Sequence, residues 1–137
     1  MSCSNDSSFI FTSSNGAECF TIKTKGNIRV IASEDAKTNS NGYIKLDLSN
    51  VDRTAGDQVI GCWNKNMKRW EIRMDHVIIL ENKLDTTQYT FIDHFPYDES
   101  TFVKIPNTKG FNDSNCFSIS FEYNEIVRVR GDVRLLR

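Results

Sequence analysis

Hydrophobic and polar residues alternate with a period of two along much of this chain. Apolar side chains occupy every second position in residues 20–22, 44–48, 117–121 and 127–129. Because successive side chains of a β-strand point to opposite faces of a sheet, this alternation predicts strands with one face on a core and the other facing water. Clusters of Ser, Asn, Asp, Thr and Gly separate the segments every ~10 residues, which is typical of antiparallel sandwiches and barrels. We therefore predict an all-β antiparallel sandwich of roughly ten to twelve strands.

Residues 67–84 fit two patterns. Several apolar residues, Trp70 and Met74 among them, lie near helical spacing, and no Pro or Gly interrupts the segment. The three consecutive β-branched residues Val77–Ile79 disfavour a helix, and the alternation around Trp70 favours a strand. We predict two strands with Asp75 near the bend between them.

Length and composition fit one globular domain. The chain has 137 residues, of which 39% are hydrophobic and 26% are charged. We predict a flexible N-terminal tail over residues 1–8 and a single domain over 9–137. A net charge of −1 disfavours binding to nucleic acid, and no apolar run approaches the length needed for membrane insertion. The start of the chain shows no secretory signal, which predicts a cytoplasmic protein.

The four cysteines are widely spaced, at positions 3, 19, 62 and 116. Zinc sites normally show ligands in closely spaced pairs, so we expect no metal and no other cofactor. Disulfides form in oxidising compartments, which the start of the chain does not indicate. We therefore expect buried free thiols.

Two alternating segments carry polar residues on their water-facing sides. The first presents Lys45, Asp47 and Ser49, and the second presents Arg69, Glu71 and Arg73. If both strands share a sheet, its open face combines acids and arginines. One interpretation is an ordinary solvated face. The other is a shallow site for a neutral, hydroxyl-rich ligand, because these groups make strong hydrogen bonds to hydroxyls and a nearby Trp supplies an apolar platform.

Taken in order, several segments resemble the galectins, which are β-galactoside-binding lectins of similar length made without signal peptides. Residues 16–23 resemble the early strand that opens with Gly, and 41–53 resemble the segment that ends in the His-x-Asn-x-Arg signature. Residues 59–62 resemble the strand that ends in a sugar-binding Asn. Residues 70–73 are similar to Trp-Gly-x-Glu-x-Arg, although two residues are missing after the Trp. Residues 126–135 resemble the closing strand.

The resemblance implies a jelly-roll sandwich and a set of carbohydrate-binding residues. It assigns the signature arginine to Arg53, the paired acid to Glu71 and the second arginine to Arg73. Three other implied positions depart from the family pattern, with Asp47 in place of His, Ser49 or Asn50 in place of Asn, and Cys62 in place of the later Asn. Trp70 would be the stacking ring, with Trp63 as the alternative if Trp70 points into the core.

The function expected from this resemblance is noncovalent carbohydrate binding without catalysis. The departures predict altered or weakened β-galactoside specificity, because an ionised Asp can only accept hydrogen bonds. The partners would be glycans or glycoproteins, including galactose-containing ones, with a homodimer left open and with unconventional secretion as a route out of the cell. One alternative is a galectin-like scaffold that binds a protein instead of sugar. Another is a glycan-cleaving enzyme that uses Asp47 and Glu71 as a carboxylate pair.

Overall fold

The structure is a computed structural model. It describes residues 7–13, 19–34, 42–54, 56–64, 69–84, 89–92, 116–131 and 133–136. The predicted N-terminal tail lies largely outside these ranges, although its last two residues, Ser7 and Ser8, belong to the first strand. No described segment forms a helix long and apolar enough to span a membrane.

Eleven strands make up the described part of the chain. They are β1 (Ser7–Ser13), β2 (Cys19–Lys25), β3 (Ile28–Glu34), β4 (Tyr43–Asp47), β5 (Asp57–Asn64), β6 (Arg69–Arg73), β7 (Ile78–Lys83), β8 (Tyr89–Ile92), β9 (Cys116–Glu122), β10 (Glu125–Gly131) and β11 (Val133–Leu135). The six-stranded sheet A has the order β11-β1-β2-β3-β4-β7, and the five-stranded sheet B has the order β10-β9-β5-β6-β8. Every described pairing is antiparallel except β6 with β8.

The two sheets pack face to face as a sandwich, which confirms the predicted fold class. Alternate residues of both sheets are buried between them, and aromatic rings meet across the interface. Phe20 of sheet A stacks on Phe117 of sheet B with ring centroids 5.5 Å apart. Phe9 and Phe121 form a second contact between the sheets, at 6.2 Å. The period of two therefore reflects burial of one face of each sheet.

The ambiguous segment is a pair of strands, as predicted. β6 ends at Arg73, β7 begins at Ile78, and the chain bends at Asp75 and His76. His76 takes a left-handed backbone conformation with φ of 62°. The two strands belong to different sheets, so this bend carries the chain from sheet B to sheet A and does not close a hairpin.

The prediction of free thiols is wrong for two of the four cysteines. Cys62 and Cys116 form a disulfide between β5 and β9, where they are directly paired residues. The two residues are 54 positions apart in sequence, so spacing alone gave no sign of their contact. Cys19 is half-buried and is not part of this disulfide. Cys3 lies outside the described residues.

Candidate functional site

The residues predicted to bind carbohydrate do not lie on one open sheet. Asp47 ends β4 in sheet A, whereas Glu71 and Arg73 lie on β6 in sheet B. All three point away from the core, so they occupy opposite outer faces of the sandwich. The prediction of a shared face is therefore wrong. Alternation determines which side chains point outward but not which sheet a strand joins, and the chain changes sheets between β4 and β5.

Some of the predicted residues interact within their own strand or turn. Glu71 Oε1 and Arg73 Nη2 are 3.7 Å apart on sheet B. The Asp47 carboxylate accepts a hydrogen bond of 2.9 Å from the backbone N–H of Ser49. Ser49 and Asn50 form an exposed turn after β4. Because Asp47 and Glu71 lie on opposite outer faces, they do not form the carboxylate pair of a glycosidase.

Trp70, the expected aromatic platform, is buried. Trp70 is only 4% exposed, and its ring packs edge-on against Phe117 at 5.4 Å. Trp70 therefore belongs to the core, as the alternative interpretation held, and its ring is not available to stack on a ligand. Trp63 pairs with Trp70 along β5 and β6, but its side chain lies outside the described residues. Cys62 is taken up by the disulfide and offers no free thiol.

Arg53, one of the predicted residues, lies in a pocket. It lies on the connection between β4 and β5, at the end of the sandwich where two tight turns meet. The pocket has a volume of about 400 Å³ and is lined by Gly26, Asn27, Arg53, Tyr123 and Asn124. We call this the Arg53 pocket. The loop that changes sheets thus brings Arg53 between the β2–β3 turn and the β9–β10 turn.

Arg53 fixes the polar groups of this pocket. One guanidinium nitrogen donates to the carbonyl of Gly26 at 2.7 Å and to Oδ1 of Asn27 at 3.3 Å. The other terminal nitrogen donates to Oδ1 of Asn124. The backbone N–H of Tyr123 donates to the carbonyl of Arg53 at 2.9 Å. Since both amide oxygens face the guanidinium, the two Nδ2 groups remain as donors, and Arg53 acts as a positioning residue.

Tyr123 supplies an exposed aromatic ring beside these amides. It is 62% exposed and has a positive φ of 56°, a conformation that few residues other than Gly, Asn and Asp adopt readily. Asn124 follows it in the same turn and is buried. The turn therefore holds an aromatic ring in water next to a fixed amide. Such strained positions are often found at functional sites.

Beneath the pocket lies a buried ion pair between the two sheets. Arg29 of β3 donates to both carboxylate oxygens of Asp57 on β5, at 2.7 and 3.0 Å. Its Nε donates to Thr24 Oγ1 at 2.9 Å, and its guanidinium lies 4.3 Å from the ring centroid of Phe121. Both charged side chains are fully buried. The fork of Arg29 is thus satisfied by a bidentate pair, a hydroxyl and an aromatic face.

Arg53 also lies near the buried carboxylate of Asp57. Arg53 Nε is buried, lies 3.9 Å from the Asp57 carboxylate and has no hydrogen-bond partner among the described residues. Burial, and then the positive charge of Arg29, lowers the pKa of the Arg53 guanidinium, while Asp57 acts in the opposite direction. Two arginines therefore share one carboxylate.

Sequence reasoning missed most of these groups. Asp57 ends a cluster of turn residues in the sequence, yet in the structure it is the buried first residue of β5. Arg29 lies between apolar residues in the sequence. It points inward because Ile31, two residues later on the same strand, is buried in the core. The turn residues Asn27, Tyr123 and Asn124 carry no motif.

Comparison with known proteins gives no match among family models, curated proteins or solved structures.

Proposed function

We propose that this protein is a non-enzymatic lectin, with altered or weakened β-galactoside specificity, and that the Arg53 pocket binds the saccharide. The observation that carries this proposal is the combination of two fixed amides, a half-buried arginine and an exposed tyrosine ring in one pocket. The galectin-like order of motifs in the sequence supports it, as does the sandwich fold.

The chemistry of the pocket suits a sugar. Saccharides present hydroxyls that accept and donate hydrogen bonds, together with patches of C–H groups that pack on aromatic rings. The amides of Asn27 and Asn124 provide donors for hydroxyls, and Tyr123 provides the ring. Because Arg53 already holds the amides in place, little side-chain entropy is lost when the ligand binds. The volume of about 400 Å³ lies within the range of small-ligand pockets.

Two locations were expected, the cytoplasm and the outside of the cell, and the disulfide between Cys62 and Cys116 favours the second. Disulfides persist mainly in oxidising surroundings, where glycans and glycoproteins are also found. This support is independent of the pocket.

A glycan array followed by titration of the best ligand tests the proposal. Tyr123→Asn removes the ring but keeps a residue that tolerates positive φ, so the fold should survive. We expect this variant to weaken binding by about tenfold or more, the loss of one good contact. Arg73→Ala is the matched control on the outer face of sheet B, and we expect it to bind like the wild type. A Tyr123→Asn variant that binds normally would overturn the assignment to this pocket.

A protein-binding scaffold is the second candidate, and one observation favours it. Strand β7 is the last strand at one edge of sheet A as described, and its residues Ile78, Ile79 and Leu80 are all exposed. Exposed apolar strand edges are surfaces to which another chain can add a strand. A protein that is silent across the glycan array, and whose complex with a protein partner is lost on Ile79→Lys, would support the scaffold in place of the lectin.

A further inference from the structure

Strand β3 turns two of its apolar residues, Ile28 and Val30, toward the outer face and one charged residue, Arg29, toward the core. Ile31 is buried in the core, so Arg29 two positions earlier points inward, and Ile28 and Val30 point to the outer face of sheet A. This arrangement reverses the usual pattern, in which the water-facing positions of an antiparallel sheet are polar. The outer face of sheet A therefore carries an apolar floor at its centre.

The strand register places lysines beside this floor, while Asp47 pairs with Ile28 and Glu81 pairs with Lys45. Lys23 on β2 pairs with Val30, and Val30 pairs with Lys45 on β4, so the two lysines flank Val30 on opposite sides. Lys25 pairs with Ile28 in the neighbouring row. With strands spaced ~4.8 Å apart, the backbone positions of Lys23 and Lys45 are about 10 Å from each other. None of the three lysines forms an ion pair within the described part of the chain.

A bulge adds a third aliphatic residue. Lys45 pairs with Glu81 and Leu46 pairs with Ile79, so Leu80 is an extra residue on β7. A bulge redirects the side chains of its strand. Leu80 is 46% exposed and lines the same depression as Ile28 and Val30.

Together these residues line a groove of about 760 Å³. Its charged lining residues are Lys23, Lys25 and Lys45, its aliphatic ones are Ile28, Val30 and Leu80, and no carboxylate lines it. The volume lies in the range typical of small-molecule sites, which combine an apolar lining with a few polar groups that fix the orientation of the ligand. The whole chain has a net charge of −1, so the positive charge here is local.

We propose that this groove binds a small anionic amphiphile, a molecule with an aliphatic chain and a carboxylate head. The chain lies on the floor formed by Ile28, Val30 and Leu80, and the carboxylate binds the ammonium groups of Lys23 and Lys45. Burial of the chain supplies affinity, and the lysines supply selectivity for a negative head group. This site does not depend on the proposed lectin function.

Titration calorimetry with hexanoate, octanoate and decanoate tests the proposal. We expect affinity to rise by about two- to fourfold for each added methylene group. Decylamine, which has the same chain and the opposite charge, should bind at least ~10-fold more weakly than decanoate. Equal affinity for decanoate and decylamine, or affinity that does not change with chain length, would overturn the proposal.

Charge variants locate the site. The double variant Lys23→Gln/Lys45→Gln should lose about tenfold or more in decanoate affinity. Lys83→Gln/Arg134→Gln is the matched control, since it removes two exposed positive charges from the same sheet outside the groove. We expect the control to bind decanoate like the wild type. Equal losses in the two double variants would show a general charge effect and would contradict the groove.

A third variant tests the floor without touching a charge. Val30→Thr keeps the shape of an outward-facing strand residue and replaces a methyl by a hydroxyl. The gain in affinity from octanoate to decanoate should shrink in this variant, and its unfolding midpoint should stay near that of the wild type. An unchanged dependence on chain length would contradict contact between the chain and Val30.

Discussion

The interior of the sandwich is aromatic toward one end and charged toward the other. Toward the first end Phe20, Phe117 and Trp70 pack on each other with centroid distances of 5.4 and 5.5 Å. Toward the other end Arg29 and Asp57 form a buried pair beneath the Arg53 pocket. The same three strands, β2, β5 and β9, pass through both halves.

The difference shows how close packing and the positioning of polar groups are divided within one core. Buried aromatic rings need close packing but no charged or hydrogen-bonding partner, so the aromatic half stabilises the fold directly. A buried charge stabilises nothing unless every partner is in place, and an ion pair is often no better than an apolar substitute. The charged half therefore does more to position the two sheets than to raise the free energy of unfolding. It joins the two sheets directly beneath the turns that form the pocket.

The largest expected effect is in the charged half. Asp57→Asn removes the charge that Arg29 and Arg53 share, and we expect a loss of about 3–5 kcal/mol in the free energy of unfolding. The control is the double variant Arg29→Met/Asp57→Leu, which replaces the pair by apolar residues and should lose much less. Urea denaturation measures both. A double variant as unstable as Asp57→Asn would show that this half stabilises the fold by its charge pairing.

The next effect concerns the disulfide, which lies beside the aromatic half. Reduction of the Cys62–Cys116 bond, whose residues are 54 positions apart, opens a long loop in the unfolded chain. The chain-entropy model predicts a loss of about 4 kcal/mol, and measured losses are typically about 2–5 kcal/mol. Thermal unfolding of Cys62→Ala/Cys116→Ala measures this loss, with Cys19→Ser as the control that leaves the bond intact. Equal midpoints for the wild type and the double variant would contradict the pairing.

A smaller effect tests how tightly the aromatic half is packed. A Cβ added at Gly61 would come within 2.3 Å of two ring atoms of Phe117. Gly61→Ala should therefore cost about 1–3 kcal/mol through overpacking. Gly56→Ala is the control, because its nearest heavy-atom neighbour would be the Asp52 carbonyl oxygen at an ordinary 3.7 Å. Equal unfolding midpoints in urea for the two variants would show that Phe117 moves aside freely.

The smallest effect compares two threonines on β2. Thr24 Oγ1 accepts a hydrogen bond from Arg29 Nε, whereas buried Thr21 Oγ1 has no partner among the described residues. Thr24→Val should destabilise the protein by about 1–2 kcal/mol, because it leaves the Arg29 donor unpaired. Thr21→Val should be neutral or slightly stabilising. The reverse order in urea denaturation would contradict the assigned role of Thr24.

The aromatic half could be predicted from the sequence, and the charged half could not. Alternation in residues 20–22 and 117–121 reports burial directly, so the strands and the core face follow from it. Asp57 appears in the sequence as a turn residue, and the contacts that Arg29 makes with Asp57 and Asn124 makes with Arg53 join positions far apart along the chain. The galectin-like order of motifs drew attention to Arg53. The expectation of a shared sheet face for Asp47 and Glu71 came from alternation, and the crossing between β4 and β5 rules it out.

Mapping of backbone amide shifts by NMR is the sharpest test of the proposal that the Arg53 pocket binds a saccharide. A bound glycan, taken as the strongest ligand of an array, should shift the amide signals of Asn27, Arg53, Tyr123 and Asn124. The signals of Glu71 and Arg73, on the outer face of sheet B, should stay in place. Shifts centred on Glu71 and Arg73, or no shift with any glycan of the array, would contradict the claim.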